Sequence, residues 1–478
     1  MNYKIVRYFM GKIMILLSAI MIIPMLISIA FGENNSFAYL IPLSILAAAG
    51  GICIIKKPKK NGVRIREGFL ICTLSWLVMS VFGAMPFWIS GEIPCYTDAF
   101  FETVSGFTTT GSTILTDIEA VSKSLLFWRS FTHWIGGMGV LVFALAILSQ
   151  KDTKTMFIMR AEVPGPKVGR LVSKTKFTAR ILYGIYIGLT LLEFVMLLFG
   201  KMSVFDSITT AMSTAGTGGF SAKNASIAYY NSPYIEYVVT IFMLLFGVNF
   251  SLYYYLLIRN FKDFIKNEEL RWYIIIVLGA TFLITGNIHT LYKGLEPAFR
   301  AAFFQVGSII TTTGFITADY EKWPVFSQCI LILLMFFGAC AGSTGGGLKI
   351  IRIMLMTKAG IREVRHAINP RAVSAIKLDG RTVDEEMITR TNAYFLVYMF
   401  IMAVSVLAVS VDRLTVVEST TSVITCINNI GPGLGVVGPV GNFSSLSHLS
   451  KWVLCFDMLV GRLELFPVLT LLHPSFWK

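Results

Sequence analysis

Four short stretches of this 478-residue chain carry the same unusual chemistry: Thr109-Thr110-Gly111, Thr217-Gly218, Thr312-Thr313-Gly314 and Asn429-Ile430-Gly431. Each closes a short apolar segment: DAFFETVSGFTTTGST (98–113), DSITTAMSTAGTGGFS (206–221), AAFFQVGSIITTTG (301–314) and ESTTSVITCINNIGPGLG (418–435). Glycine tolerates dihedrals that let a tight loop turn its carbonyls to one side. Threonine adds a hydroxyl as a further oxygen ligand or as a brace to the loop. Four such loops around an axis make a ring of carbonyl oxygens, which replaces the hydration shell of a monovalent cation. A fifth stretch, GACAGSTGGGLK (338–349), packs Gly338, Gly342, Gly345, Gly346 and Gly347 ahead of Lys349. In hydrocarbon, backbone that is not helical is tolerated only where protein buries it or it lines a watery cavity. These residue types therefore imply a cavity at membrane depth.

The elements that must hold these loops are membrane helices. The chain is 55% hydrophobic and 14% charged, with a mean hydropathy of +0.69, well beyond a soluble protein. Its net charge of +14 sits in short loops between apolar spans, where it fixes orientation in the bilayer and argues against a nucleic-acid partner. The seven cysteines are scattered without a Cys-x-x-Cys pair, so they read as packing residues, with neither a disulfide nor a metal framework. Spans near 8–31 and 37–55 precede a basic loop at 56–66. The first apolar core is too long for a cleaved signal and reads as a retained helix.

From there a pattern of long span, short segment with glycine loop, and long span repeats four times. The loops recur roughly every 100 residues, a period that marks internal duplication. The segments ahead of the glycines, about 12 or 13 residues at about 1.5 Å each, are too short to cross. They suit half-helices entering from outside, their carbonyl ends aimed at the centre. Second spans are expected near 125–148, 235–257, from 327 onward, and near 449–472. The predicted fold is all-α and polytopic, with four pseudo-symmetric helix–pore-loop–helix repeats around a central pore plus two N-terminal helices. The expected units are 1–66, then repeats 67–180, 181–270, 271–391 and 392–478. Basic loops at 151–180, 259–271 and 349–390 put both termini in the cytoplasm. Outer loops carry Asp98, Glu102, Asp117, Glu119, Asp206, Glu296, Asp319, Glu321 and Glu418, a mildly acidic mouth that concentrates cations.

One such loop alone is equally a turn between helices with capping threonines; four at matching positions point to a site. The five glycines of 338–347 cannot stay helical at about 1 kcal/mol each relative to alanine. They are not a nucleotide P-loop, because Leu348 stands where Gly-Lys-Ser/Thr needs lysine; a passive kink is the remaining alternative. Arg462 lies inside the last apolar span, where an ionisable residue marks a functional site or pairs with Asp457 or Glu464. Lys349 and Arg352 either extend a positive barrier or mark the membrane boundary. The five histidines are far apart, and no paired carboxylates share a span, so no catalytic constellation is present and no enzyme is expected.

The four loops, together with LFWRSFTHWIGGMGVLVFALAIL (126–148), CAGSTGGGLKIIRI (340–353) and MLVGRLELFPVL (458–469), resemble the Trk/Ktr/HKT superfamily of potassium transporters. The two extra N-terminal spans make the chain most similar to the membrane subunit of bacterial Trk systems. The resemblance implies K+ as the transported ion, in a bacterial inner membrane. It implies one filter-anchoring residue per repeat, here Gly111, Gly218, Gly314 and Gly431. Sodium-selective plant relatives carry serine at the first position, so Gly111 favours potassium. The fourth loop, NNIGPGLG, departs from the Thr-Gly form. Residues 338–349 match an intramembrane loop that obstructs the pore, and Arg462 the arginine set against it. The resemblance further implies a homodimer on a cytosolic, nucleotide-binding regulatory ring of the TrkA kind, with no nucleotide bound by this chain. The basic cytoplasmic face would meet that ring or anionic membrane lipid. The competing mechanism is a proton- or sodium-coupled potassium symporter. Such carriers usually place titratable side chains at the site, and no loop here does.

Overall fold

The computed structural model describes residues 1–58, 64–139, 175–371 and 374–478, and these are mostly helical. Helices α1 (Tyr3–Ala30) and α2 (Ser36–Ile54) form a hairpin. They cross at Gly11 and Gly50, where a Cβ on either would meet the other's carbonyl oxygen within 2.9 Å. Small residues permit this close crossing where no hydrophobic force drives helices together in lipid. The hairpin lies against α3 (Ile65–Ile89).

Four units follow. The first is α3, the short α4 (Tyr96–Phe107) and α5 (Lys123–Gly137). The second is α6 (Thr175–Phe199), the short α7 (Val204–Gly216), α8 (Pro233–Phe246) and α9 (Phe250–Leu257). The third is α10 (Glu268–Ile288), the short α11 (Leu295–Ile310), α12 (Val325–Phe336) and α13 (Ile350–Ile368). The fourth is α14 (Glu385–Val409), the short α15 (Val416–Ile427), α16 (His448–Arg462) and α17 (Phe466–Leu472). Among the described residues, six helices are long and apolar enough to cross a membrane, or seven if α8 and α9 count as one.

The second spans expected near 235–257 and 449–472 are interrupted in the structure, as is the one from 327 onward, where the glycine-rich stretch itself predicts a break. Helices α8 and α9 meet at 93° across Gly247, Val248 and Asn249. Helices α12 and α13 are separated by the whole glycine-rich stretch. Helices α16 and α17 are parted at Glu464 and Leu465, whose φ values are +59° and +54°. Helix α5 ends at Gly136-Gly137; its expected run to 148, and nearly all of the basic stretch 151–180, lie outside the described residues. The cause is packing under the short helices. A Cβ on Gly136 would strike the carbonyl of Phe107 at the end of α4, and one on Gly461 the carbonyl of Ile427 at the end of α15. Helices α5 and α16 thus each come into contact with the end of their own unit's short helix.

Candidate cation pathway

All four short helices end in the same cap. The N–H groups of Thr109, Thr217, Thr312 and Asn429 reach carbonyls three residues back, at 2.9 to 3.2 Å, and those of Thr110, Gly218, Thr313 and Ile430 reach five back, at 2.8 to 2.9 Å. This is the Schellman arrangement, which ordinarily puts glycine at its left-handed position. Here that position holds Thr109, Thr217, Thr312 and Asn429, with φ of 54° to 59°. For a β-branched threonine this backbone is a genuine outlier, of the kind that persists only where the surroundings enforce it.

One residue later but one comes the glycine. Gly111, Gly219, Gly314 and Gly431 have φ of +84°, +76°, +82° and +103°. This corrects the second repeat: Gly219 stands where Gly111 stands, and Gly218 takes the place of Thr110. Gly218 instead lies against the imidazole of His133, which occupies the space a Cβ would need.

In this register the loops close a ring. A Cβ on Gly111 would strike the carbonyl oxygen of Gly218, one on Gly219 that of Thr313, and one on Gly314 that of Ile430. A Cβ on Gly431 would lie 2.9 Å from the carbonyl oxygen of Thr110, which returns the sequence to the first loop. Each glycine is thus required twice, once by its own dihedral and once by its neighbour's oxygen. The threonine hydroxyls act as braces: Thr108 and Thr110 share a hydrogen bond of 2.8 Å, and Thr311 and Thr313 one of 2.7 Å. In the fourth loop Asn429 takes over this work, donating its amide to the Thr110 hydroxyl (2.9 Å) and the Met458 carbonyl (3.0 Å).

Above the ring, on the side from which the short helices enter, lies a cavity of about 170 Å³ bordered by Gly111, Gly219, Gly314 and Gly431. The carboxylates expected to charge this mouth are largely committed elsewhere. Glu102 is buried and paired with Arg129. Asp98 accepts from the Lys451 ammonium (2.7 Å), which also opposes any cation at the nearby Cys95–Asp98–His448 group. Glu321 accepts from the Gly435 N–H, and Glu418 from the N–H of Val436. Asn224 donates to Asp117 (2.8 Å) and holds its carboxyl below the usual carboxylate range. These groups order the outer loops.

Below the ring, residues 337–349 form a folded plug. Its ends pair through the Gly338 N–H and the Leu348 carbonyl (2.6 Å). It docks on the break of the second unit: Cys340 N–H donates to the Gly247 carbonyl and Phe250 N–H to that of Gly342, both at 3.0 Å. Buried Glu269 takes the N–H of Ala341 (2.7 Å) and of Ile351 (3.3 Å), gripping both feet. At its top, the Gly346 N–H donates to the Thr312 hydroxyl (2.7 Å). Side chains on Gly345 or Gly346 would meet the carbonyls of Thr311 and Asn428, so the plug bears directly on the loops above.

Two cations bind it, one from outside and one from within. Arg462 donates to the carbonyls of Thr344 (2.7 Å), Gly136 (2.6 Å) and Gly137 (2.8 Å), tying the plug to the end of α5. Lys349, also buried, donates to the carbonyls of Gly345 and Gly346. Glu464 pairs with Arg352 and Asp457 accepts from Ser405, which accounts for the two carboxylates near Arg462 in the sequence. Glu269, Arg129 and His133 were not anticipated. Arg129 alone carried a signal, as a lone cation in an apolar helix.

The whole chain has counterparts among known proteins. Residues 35–478 match the family model for TrkH, a cation transport protein. The chain is 38% identical to the Trk system potassium uptake protein TrkH of Salmonella typhimurium and to that of Escherichia coli, over the full length of both partners. It superposes on the crystal structure of the potassium transporter TrkH from Vibrio parahaemolyticus with a TM-score of 0.90, at 33% identity and complete coverage of both chains. That family is one of transporters rather than enzymes, and the chain, matched from end to end, is an integral membrane protein that belongs to the TrkH family of cation transport proteins.

Proposed function

We propose that this chain takes up potassium across the bacterial inner membrane through a central pore, with the four-glycine ring as its selectivity filter and residues 338–349 as its gate. The observation that carries this reading is the cyclic glycine-to-carbonyl contact: it draws four loops into one closed circle, with no titratable side chain in any of them. Such a ring replaces the water of a monovalent cation without coupling to a proton, which favours a channel-like path over a coupled carrier. The relatives named for potassium uptake supply the ion. The plug, held by Arg462 and Lys349, represents the closed pathway, and the positive charge beneath the ring adds an electrostatic barrier. Both termini lie in the cytoplasm by the positive-inside rule. The chain works as a homodimer whose basic inner face rests on a cytosolic nucleotide-binding ring that drives the plug aside.

The test is rubidium uptake into liposomes loaded with potassium, with external potassium or sodium as competitor, for wild type and Gly111→Ser. Potassium alone should block uptake by wild type, and sodium should gain potency in the variant. Equal competition by both ions in wild type would sink the filter reading.

A further inference from the structure

The ion pair of Glu102 and Arg129 lies behind the ring, and both side chains are essentially shut off from solvent, at 0% and 1% exposure. The guanidinium reaches the carboxylate through Nε (2.8 Å) and Nη2 (2.7 Å). What each partner does with its remaining valences is informative. Glu102 accepts from the Ile114 N–H (3.0 Å) and the Thr113 hydroxyl (2.9 Å), so it holds the outer arm of the first loop just past Gly111. Arg129 donates to the Ser221 carbonyl (3.2 Å) and lies 4.0 Å over the Phe220 ring, so it holds the outer arm of the second loop just past Gly219. One charge pair therefore spans two loops.

The register position of Glu102 is occupied by Thr210, Gln305 and Ser422 in the other repeats. Gln305, with its amide oxygen turned toward the third loop, takes the N–H groups of Thr317 (2.9 Å) and Ala318 (3.2 Å). A neutral amide thus suffices to hold one loop to its own helix. Burying two charges adds desolvation cost, and what it supplies here is the Arg129 bridge to the neighbouring loop through charge-assisted, directionally fixed bonds.

We propose that the Glu102–Arg129 pair is a positioning device that sets the cation discrimination of the ring by fixing the spacing of its first and second loops; this rests on the filter reading above. A ring that separates ions differing slightly in radius depends on how rigidly its oxygens are backed. The side of the ring formed by loops one and two is backed by this fully buried charge pair, the third loop by the neutral Gln305, and the outer arm of the fourth by the half-buried carboxylates of Glu321 and Glu418.

The experiment measures the ratio of sodium to potassium concentrations that half-block rubidium uptake, for Arg129→Gln, Glu102→Gln and the double Gln variant. Gly111→Ser serves as a control in the same liposomes. Arg129→Gln should lower the ratio about tenfold, the equivalent of one charge-assisted hydrogen bond, while Glu102→Gln, which keeps an acceptor for Ile114, should lower it less. The double variant leaves no orphaned charge, so it decides the matter if Arg129→Gln does not fold. An unchanged ratio in the double variant, or its failure to assemble in the membrane, would overturn the proposal and leave the pair a folding element. If Gly111→Ser also leaves the ratio unchanged, the filter reading itself fails.

Discussion

The Arg462 guanidinium lies between the Thr344 carbonyl of the plug (2.7 Å) and the Gly136 and Gly137 carbonyls at the end of α5 (2.6 and 2.8 Å). One side chain thus fastens a loop of the third unit to a helix of the first. Hydrogen bonds from charged groups contribute about 1.5–3 kcal/mol each. Arg462→Ala should therefore raise basal rubidium flux roughly tenfold or more in liposomes lacking any cytosolic partner. Unchanged flux in folded protein would remove Arg462 from the gate.

Lys349 reaches the Gly345 and Gly346 carbonyls but stays within the plug and its own helix. Lys349→Met should loosen the plug without detaching it from α5. Its basal flux, read in the same efflux assay, should fall between those of wild type and Arg462→Ala. A flux above that of Arg462→Ala would reverse their assigned order.

The register of the second loop has a direct test. Gly219→Ala must place a Cβ against the Thr313 carbonyl at a φ of +76°, whereas Gly218→Ala displaces a side chain, the His133 ring. The first should weaken uptake and let sodium compete better, as Gly111→Ser does, and the second should reduce uptake while leaving the advantage of potassium over sodium intact. Equal loss in both would argue that Gly218 and Gly219 share the role.

Asn429 links the fourth loop to Thr110 and to the Met458 carbonyl. Asn429→Leu removes both hydrogen bonds, at a net cost of about 0.5–1.5 kcal/mol each, and should lower the melting temperature of the detergent-solubilised protein. Asn429→Ser, which retains a donor, should recover part of the loss.

How much of this was legible in the sequence depended on whether a signal was local. The Thr-Gly pattern and its period placed the four loops, because a short segment ahead of a glycine is visible in any window. The doublet Gly218-Gly219 offered two registers after Thr217, and only the backbone torsion separates them. The breaks in α8/α9 and α16/α17 were hidden because Gly247 and Gly461 are each unremarkable in a membrane helix, and hydropathy records composition without direction. Glu102 read as a mouth residue because its partner, Arg129, comes from another helix. The odd cation in α5 was the available clue, and it pointed to a counter-charge without saying where. Glu269 gave no clue at all: an acid in the first turn of a helix is ordinary dipole chemistry.

The glycine-to-carbonyl contact around the ring is head-to-tail: every loop offers a glycine to one neighbour and an oxygen to the other. A contact of this kind closes only at a fixed count. Once four copies were joined in a single chain, none could be lost or added without opening the circle, yet each became free to mutate separately. A homotetramer built on the same contact would have to change all four corners at once. That freedom is visible at the fourth corner, where Asn429-Ile430-Gly431-Pro432 replaces threonine chemistry while keeping the glycine that its neighbour's oxygen demands. Carrying four loops in a single chain thereby turns a symmetric constraint into an address system, in which each corner can vary alone while the circle stays closed.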